Sequence, residues 1–438
     1  MGRRPIDMDR LARELVMADD VNAKKTLAKK ILDIAYKKGV YPSSMHGLYV
    51  ARGKGEFSGF TVPAMNLRGW TYQTCRAAFR AARKMDAGLL IFEQALAEAI
   101  YAKQTPAEYT AAVLAAGLRE GHIGPIFLQA DHDQINAANY AKDPAKEVER
   151  LSGVIREQIA ASFFNIDVDA STVVDLSFPT LVEQQRLNAE LTAKFTSLVR
   201  ELEPKGVTIS VGAEIGEVGA HNTTPDELRA FMTTYPKALA AAGGGAGITK
   251  VSVNSGTYHG GKVLPDGTLA KVPVAFDTLA EISRVGRTEF GLAGAVQHGA
   301  STLPMEYFGK FPESGTVEIH LALGFNNLIF DHPKLPQAVK DEIRAYCFTH
   351  HASERKPDQT EAQFIYTTRK KAWAGMKQRF WDLPTDVQET LMGSLEGMFR
   401  DMFERMRVGN THELVAKFTE VPVVPAVVPL PLAEAMAR

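Results

Sequence analysis

Asp131 and His132 close the apolar run Ile126-Phe127-Leu128-Gln129-Ala130. A carboxylate beside an imidazole can hold a divalent cation, move a proton or satisfy a hydrogen bond, so the pair alone selects nothing. Three further residues narrow the choice, because each also comes at or soon after the end of a short apolar run: Glu214 after 208–213, His259 after 250–254 and His298 after 291–297. Three imidazoles with a carboxylate or water form the donor set of a catalytic zinc site, with a position left for substrate. Each histidine singly reads equally well as a hydrogen-bonded core or loop residue; their joint placement points to a shared ion. His46, His122, His350, His351 and His412 fall outside the pattern and are read as surface or capping residues.

Residues so far apart can share an ion only if a scaffold brings strand ends together. From residue 57, short apolar runs alternate with helix-length amphipathic segments, the signature of βα units. Strands are expected at 59–66, 88–93, 125–130, 163–169, 208–213, 250–254, 291–297 and 316–321. Helices are expected at 71–85, 106–120, 144–161, 181–203, 225–242 and 274–287, with a short one after Thr302. Eight units in roughly 265 residues match an α/β fold of the (β/α)8 TIM-barrel type better than an open doubly wound sheet, and strand carboxyl ends converge on one face of such a barrel. Residues 1–52 read as an N-terminal helical extension, 53–335 as the barrel and 336–438 as a C-terminal extension with helices at 336–350, 361–381 and 385–406. Its aromatics Phe364, Trp373, Phe380 and Trp381 suggest a face packed on the barrel or on another subunit. The Pro-rich tail 421–431 is expected to run extended, as a clasp on a neighbour or a strap on its own subunit.

Composition excludes several classes of function. Fifty Lys and Arg against 51 Asp and Glu create no global field for nucleic acid or an acidic membrane surface. No apolar run reaches the ~20 residues of a membrane span. The first residues lack a signal peptide's apolar core, and residue 6 is Ile where a myristoylation motif needs Ser or Thr. Two cysteines, Cys75 and Cys347, fit core packing in a reducing compartment. The expectation is a cytoplasmic small-molecule enzyme, and the added terminal helices suggest a homo-oligomer, a dimer or larger.

Glycines flank two of the histidines, in Gly256-Thr-Tyr-His259-Gly260-Gly-Lys262 and His298-Gly299-Ala300-Ser301. Bare backbone N–H groups there can cradle a phosphate, or the glycines can serve tight turns alone. The first stretch also has the spacing of a nucleotide-binding P-loop. Val263 stands where that motif needs a hydroxyl for magnesium, and Pro265 interrupts any following helix, which argues against an ATPase.

Taken together, residues from about 60 to 319 resemble the class II, metal-dependent fructose-bisphosphate aldolase family. Val62-Pro63-Ala64-Met65-Asn66 resembles the family's Val-Pro-Ala-Phe-Asn, and Asp131-His132 its catalytic aspartate and first zinc histidine. Asp169-Ala170-Ser171 is similar to its Asp-Gly-Ser, and Ala213-Glu214-Ile215-Gly216 to its Ala-Glu-Leu-Gly. Gly256-Thr257-Tyr258-His259-Gly260 is similar to its Gly-Thr-x-His-Gly, and His298-Gly299-Ala300-Ser301 to its His-Gly-Gly-Ser. The resemblance implies a (β/α)8 lyase in which His132, His259 and His298 hold Zn2+ or another divalent metal, with Glu214 an alternative ligand. Asp131 would move a hydroxyl proton, while Asn66, Gly260, Lys262, Gly299, Ala300 and Ser301 would meet a sugar phosphate, fructose 1,6-bisphosphate being the first candidate.

Three departures stand out. The family's acidic mobile loop is replaced by Glu217-Val-Gly-Ala-His221-Asn222, in which Glu217 or His221 could substitute. Its Asn-x-Asp-Thr on the eighth strand is replaced by His320-Leu-Ala-Leu323, a loss of one carboxylate and one hydroxyl, and its small serine after the second strand by Glu93-Gln94. The metal shell is kept and the substrate shell altered. This leaves open an aldolase or epimerase for a different sugar, or a non-catalytic aldolase-like subunit.

Overall fold

All eight runs read as strands pair in parallel. The computed structural model describes residues 6–216, 221–256, 263–269 and 274–422. Its strands are β1 (Val40–Ser43), β2 (Val62–Met65), β3 (Ile91–Ala95), β4 (Gly124–Gln134), β5 (Asn165–Asp169), β6 (Ser210–Glu214), β7 (Lys250–Val253), β8 (Ala295–Gln297) and β9 (Glu318–Leu321). Strands β2 to β9 pair in chain order, and β2 pairs with β9, which closes an eight-stranded (β/α)8 TIM barrel with helical extensions at both ends.

Sequence chemistry sets where the helices begin. Thr105, Asp143 and Thr224 cap three of them by accepting from Glu108, Lys146 and Glu227 backbone N–H, and Pro106, Pro144 and Pro225 occupy the first turn, where no N–H is needed.

Strand β1 was not expected, because Pro42 reads as punctuation. Among the described residues it pairs only with the start of β4, Val40 opposite Gly124 through Ser43 opposite Phe127. A strand with one bare edge tolerates a residue that cannot donate to a ladder.

The C-terminal extension packs on the barrel. Tyr72 stacks on Trp381 with ring centroids 5.6 Å apart, and Trp70 meets Phe380 at 5.9 Å. The helix expected over 361–381 is interrupted: α-helix covers Glu361–Thr368 and Trp373–Trp381, with a 3₁₀ turn over Arg369–Ala372. Trp373 lies against Gly69, where a Cβ would stand 2.1 Å from the indole, so that glycine admits the ring. Among the described residues, no helix is long and apolar enough to cross a membrane. The Pro-rich tail lies outside the described residues from 423 onward.

Candidate metal centre at the barrel mouth

The sequence run that ends at Ala130 does not end the strand. Strand β4 continues to Gln134, and its register against β5 slips: Ala130 faces Ile166 while Asp133 faces Val168, so three steps on β4 match two on β5. His132 takes a φ of 54° there. This is a β-bulge, and it changes which way side chains point. Regular alternation would send Asp131 and His132 to opposite faces. With the bulge both reach the mouth, and Asp133 turns outward to accept from Gln158 Nε2 at 2.9 Å.

His132 Nδ1 lies 2.8 Å from Glu214 Oε1 and 3.7 Å from Asp169 Oδ2. His298 Nδ1 lies 3.0 Å from the same Glu214 oxygen, and the two imidazoles sit edge to face with centroids 4.1 Å apart. Asp131, His132 and His298 each offer a donor atom within 4.8 Å of one another, as do His132, Asp169 and Glu214. These groups could hold a metal. Two imidazoles converging on one buried carboxylate oxygen form a nitrogen–oxygen donor set of the kind that takes zinc and its neighbours, so the residues fit the ion that the sequence pattern implies. His259, Gly260 and Lys262 lie outside the described residues, as does Glu217.

Asp131 is held from both sides. Asn66 Nδ2 donates to its Oδ2 at 2.9 Å and to Glu98 Oε2 at 3.0 Å. His320 Nδ1 donates to its Oδ1 at 2.9 Å. Burial alone would raise the Asp131 pKa, but His132, His320 and His298 outweigh that and hold it well below the ordinary range. His320 faces carboxylates with both nitrogens, Nε2 lying 2.7 Å from Glu318 Oε1. Burial would strip its proton, yet Glu93, Asp131 and Glu318 together push its pKa well above ordinary. At the end of the eighth barrel strand, His320 thus stands as a hydrogen-bond donor beside Asp131.

Beneath the mouth the barrel interior is polar, where branched apolar residues usually fill such barrels. Lys250, 1 % exposed, donates to Glu318 at 2.5 Å, Gln129 at 2.9 Å and Asp167 at 3.0 Å. Gly212 makes room for this pair, since a Cβ there would lie 2.3 Å from Asp167 Oδ1 and 2.8 Å from Lys250 Cε. Gln129 also donates to Glu93 at 3.0 Å, and Tyr49 donates to Glu318.

The other expected residues take plain positions. Gly299, at φ 71°, begins the turn that follows His298, and Ala300 and Ser301 enter a 3₁₀ turn beside it. His221 sits 2.9 Å from Glu227 at a helix start, with its side chain 55 % exposed. His122, expected as a surface or capping residue, is half-buried against Phe79, centroids 5.1 Å apart, and donates to the Pro125 carbonyl.

The sequence reading missed Asp169, His320, Lys250, Asp167, Glu318 and Glu93 as one network. A signal was present: polar residues recur at every second position in 129/131, 167/169, 250/252/254 and 318/320. In a strand buried on both faces, such alternation marks the side turned into the barrel.

No protein-family model matches the chain, and no curated protein sequence does. A solved structure shares its fold. A probable tagatose 6 phosphate kinase from Sinorhizobium meliloti 1021 superposes with a TM-score of 0.55 at 15% identity, over 86% of this chain and 97% of that one. A fructose-bisphosphate aldolase from Campylobacter jejuni aligns with a TM-score of 0.47 at 17% identity, over 85% and 97%. At such identity the first likeness establishes a shared fold alone, and chemistry is read from the side chains.

Proposed function

We propose that the chain is a metal-dependent carbon–carbon lyase acting on a ketose phosphate, with fructose 1,6-bisphosphate the first candidate. The observation that carries this reading is the convergence of His132, His298 and Glu214 beside an Asp131 whose two oxygens are both engaged by donors. A divalent ion held by His132, His298 and Glu214, with His259 as a further candidate ligand, would supply Lewis acidity toward a substrate carbonyl. Asn66 and His320 hold the Asp131 carboxylate in place through hydrogen bonds to its two oxygens, and as a carboxylate it can accept a proton from a substrate hydroxyl. Bulge geometry keeps that carboxylate next to His132, which orders proton transfer and carbonyl polarisation around one substrate. Neither step needs a Schiff-base lysine, and Lys250 is committed to Asp167 and Glu318.

The test is release of dihydroxyacetone phosphate, followed by coupled assay before and after chelation and metal restoration. Activity should vanish with chelator and in His132→Ala, and Asp131→Asn should lower kcat by about 10²–10⁴-fold. A purified protein free of metal, or turnover unchanged in His132→Ala, would remove the reading. A second reading, an epimerase or an aldolase for a different sugar, is favoured by His320, a cationic donor in place of the family's eighth-strand residues. Product analysis on phosphorylated and unphosphorylated ketoses separates the two, and absence of any turnover with metal supplied would favour a non-catalytic aldolase-like subunit.

A further inference from the structure

The mouth carries a second charged cluster that the metal chemistry does not use. Arg68 follows β2 and is 7 % exposed. It is ion-paired to Glu98, and its Nε–H is buried with no acceptor among the described residues. Glu98 is already shared, accepting from Asn66 Nδ2 at 3.0 Å and from the Ala95 backbone N–H at 3.3 Å. Through Asn66 the cluster is joined to Asp131.

The C-terminal extension adds Lys370. Its Nζ and the Arg68 guanidinium carbon each lie 5.8 Å from the centroid of the Tyr101 ring, so one aromatic borders both cations. The flanking basic residues are neutralised: Arg369 by Asp331 at 2.5 Å and Lys371 by Glu354 at 2.5 Å. Lys370 has no acidic partner within 4 Å among the described residues, although it is half-buried. Burial first, and then Arg68, draw its pKa down to about 8; Glu98 and Glu354 oppose this and Lys371 adds to it. Lys370 thus adds a second cation, across the Tyr101 ring, to the Arg68–Glu98 pair, in a place where an unpaired ammonium is costly.

We propose that Arg68 and Lys370 form an anion site at the barrel mouth for a phosphate-type oxyanion, supplied by the far end of a substrate or by free phosphate. A guanidinium contributes directed donors, an ammonium a point charge, and both suit such a group. The extension then contributes to binding as well as to packing. The substrate source rests on the lyase reading above; the site itself does not.

Two measurements test it on the full chain. In competitive labelling with an acylating reagent at mildly alkaline pH, millimolar inorganic phosphate should slow modification of Lys370 and leave Lys371 unaffected. Equal labelling with and without phosphate would overturn the site, whatever the chain catalyses. Second, Lys370→Met should lower the ratio of kcat/KM for a ketose bisphosphate over the matching monophosphate by about tenfold, the loss of one charged contact. Lys370→Arg should restore the ratio, and Lys371→Met should leave it as in the parent. Protection by phosphate with an unaltered ratio supports the site and assigns it to free phosphate. A ratio lowered equally by Lys371→Met would overturn a specific role for Lys370.

Discussion

At the scale of single residues, His320 matters most to the balance of charge. Its imidazole is set among Glu93, Asp131, Glu318 and Asp167, at 3.4, 2.9, 2.7 and 3.5 Å. Removing one partner of a buried charge cluster leaves the others uncompensated, which costs more than the cluster is worth as a whole. His320→Ala should therefore lose about 3–5 kcal/mol of stability in chelator-treated protein, measured by urea unfolding. A loss below about 1 kcal/mol would mean that the carboxylates take up protons instead. Asp131, His132, Glu214 and His298 were legible as functional candidates because ionisable residues after apolar runs are costly to place without a purpose. His320 was legible only as a missing motif, since its four partners come from four strands, three of them other than its own.

At the scale of elements, the bulge in β4 and the turn after β2 decide the site. A one-residue slip converts alternating side chains into neighbours on the same face, so the bulge brings Asp131 and His132 together. The turn after β2 holds Gly69 at φ 67° against Trp373 of the extension. Gly69→Ala adds both strained backbone and a clash with a buried ring, and should cost about 2–3 kcal/mol. It should also speed protease cleavage within 336–422, because Trp373 anchors that segment. Unchanged cleavage would show that the extension is fastened elsewhere. Element positions were largely legible, eight strands and six barrel helices, because caps, prolines and apolar runs are local signals. The bulge was not, since register is a property of two strands together.

At the scale of the molecule, acid stability follows from histidines kept neutral. Burial lowers His122 to about 4, and burial with Arg200 lowers His46 to about 4, from an ordinary 6.5. The unfolded chain then binds more protons than the folded one between these values, so their contribution is complete above about pH 6.5 and is lost as pH falls toward 4. His122→Gln should remove on the order of 1 kcal/mol of the stability lost between about pH 7 and pH 5, a figure reduced for partial exposure. Comparing urea midpoints at the two pH values checks this, and parallel losses in parent and variant would contradict it. By itself, the sequence determined the barrel and its strand order of appearance, and it singled out Asp131, His132, Glu214 and His298 as candidates, because hydrophobic period, capping and ionisable strand ends are written residue by residue. Only the tertiary structure decided that Asp131 and His132 share a face, that His320 joins them and that Lys370 of the extension borders the same Tyr101 ring as Arg68. Those relations depend on barrel closure, which sets residues hundreds of positions apart within hydrogen-bond or ring-contact distance, and no local pattern encodes such a distance.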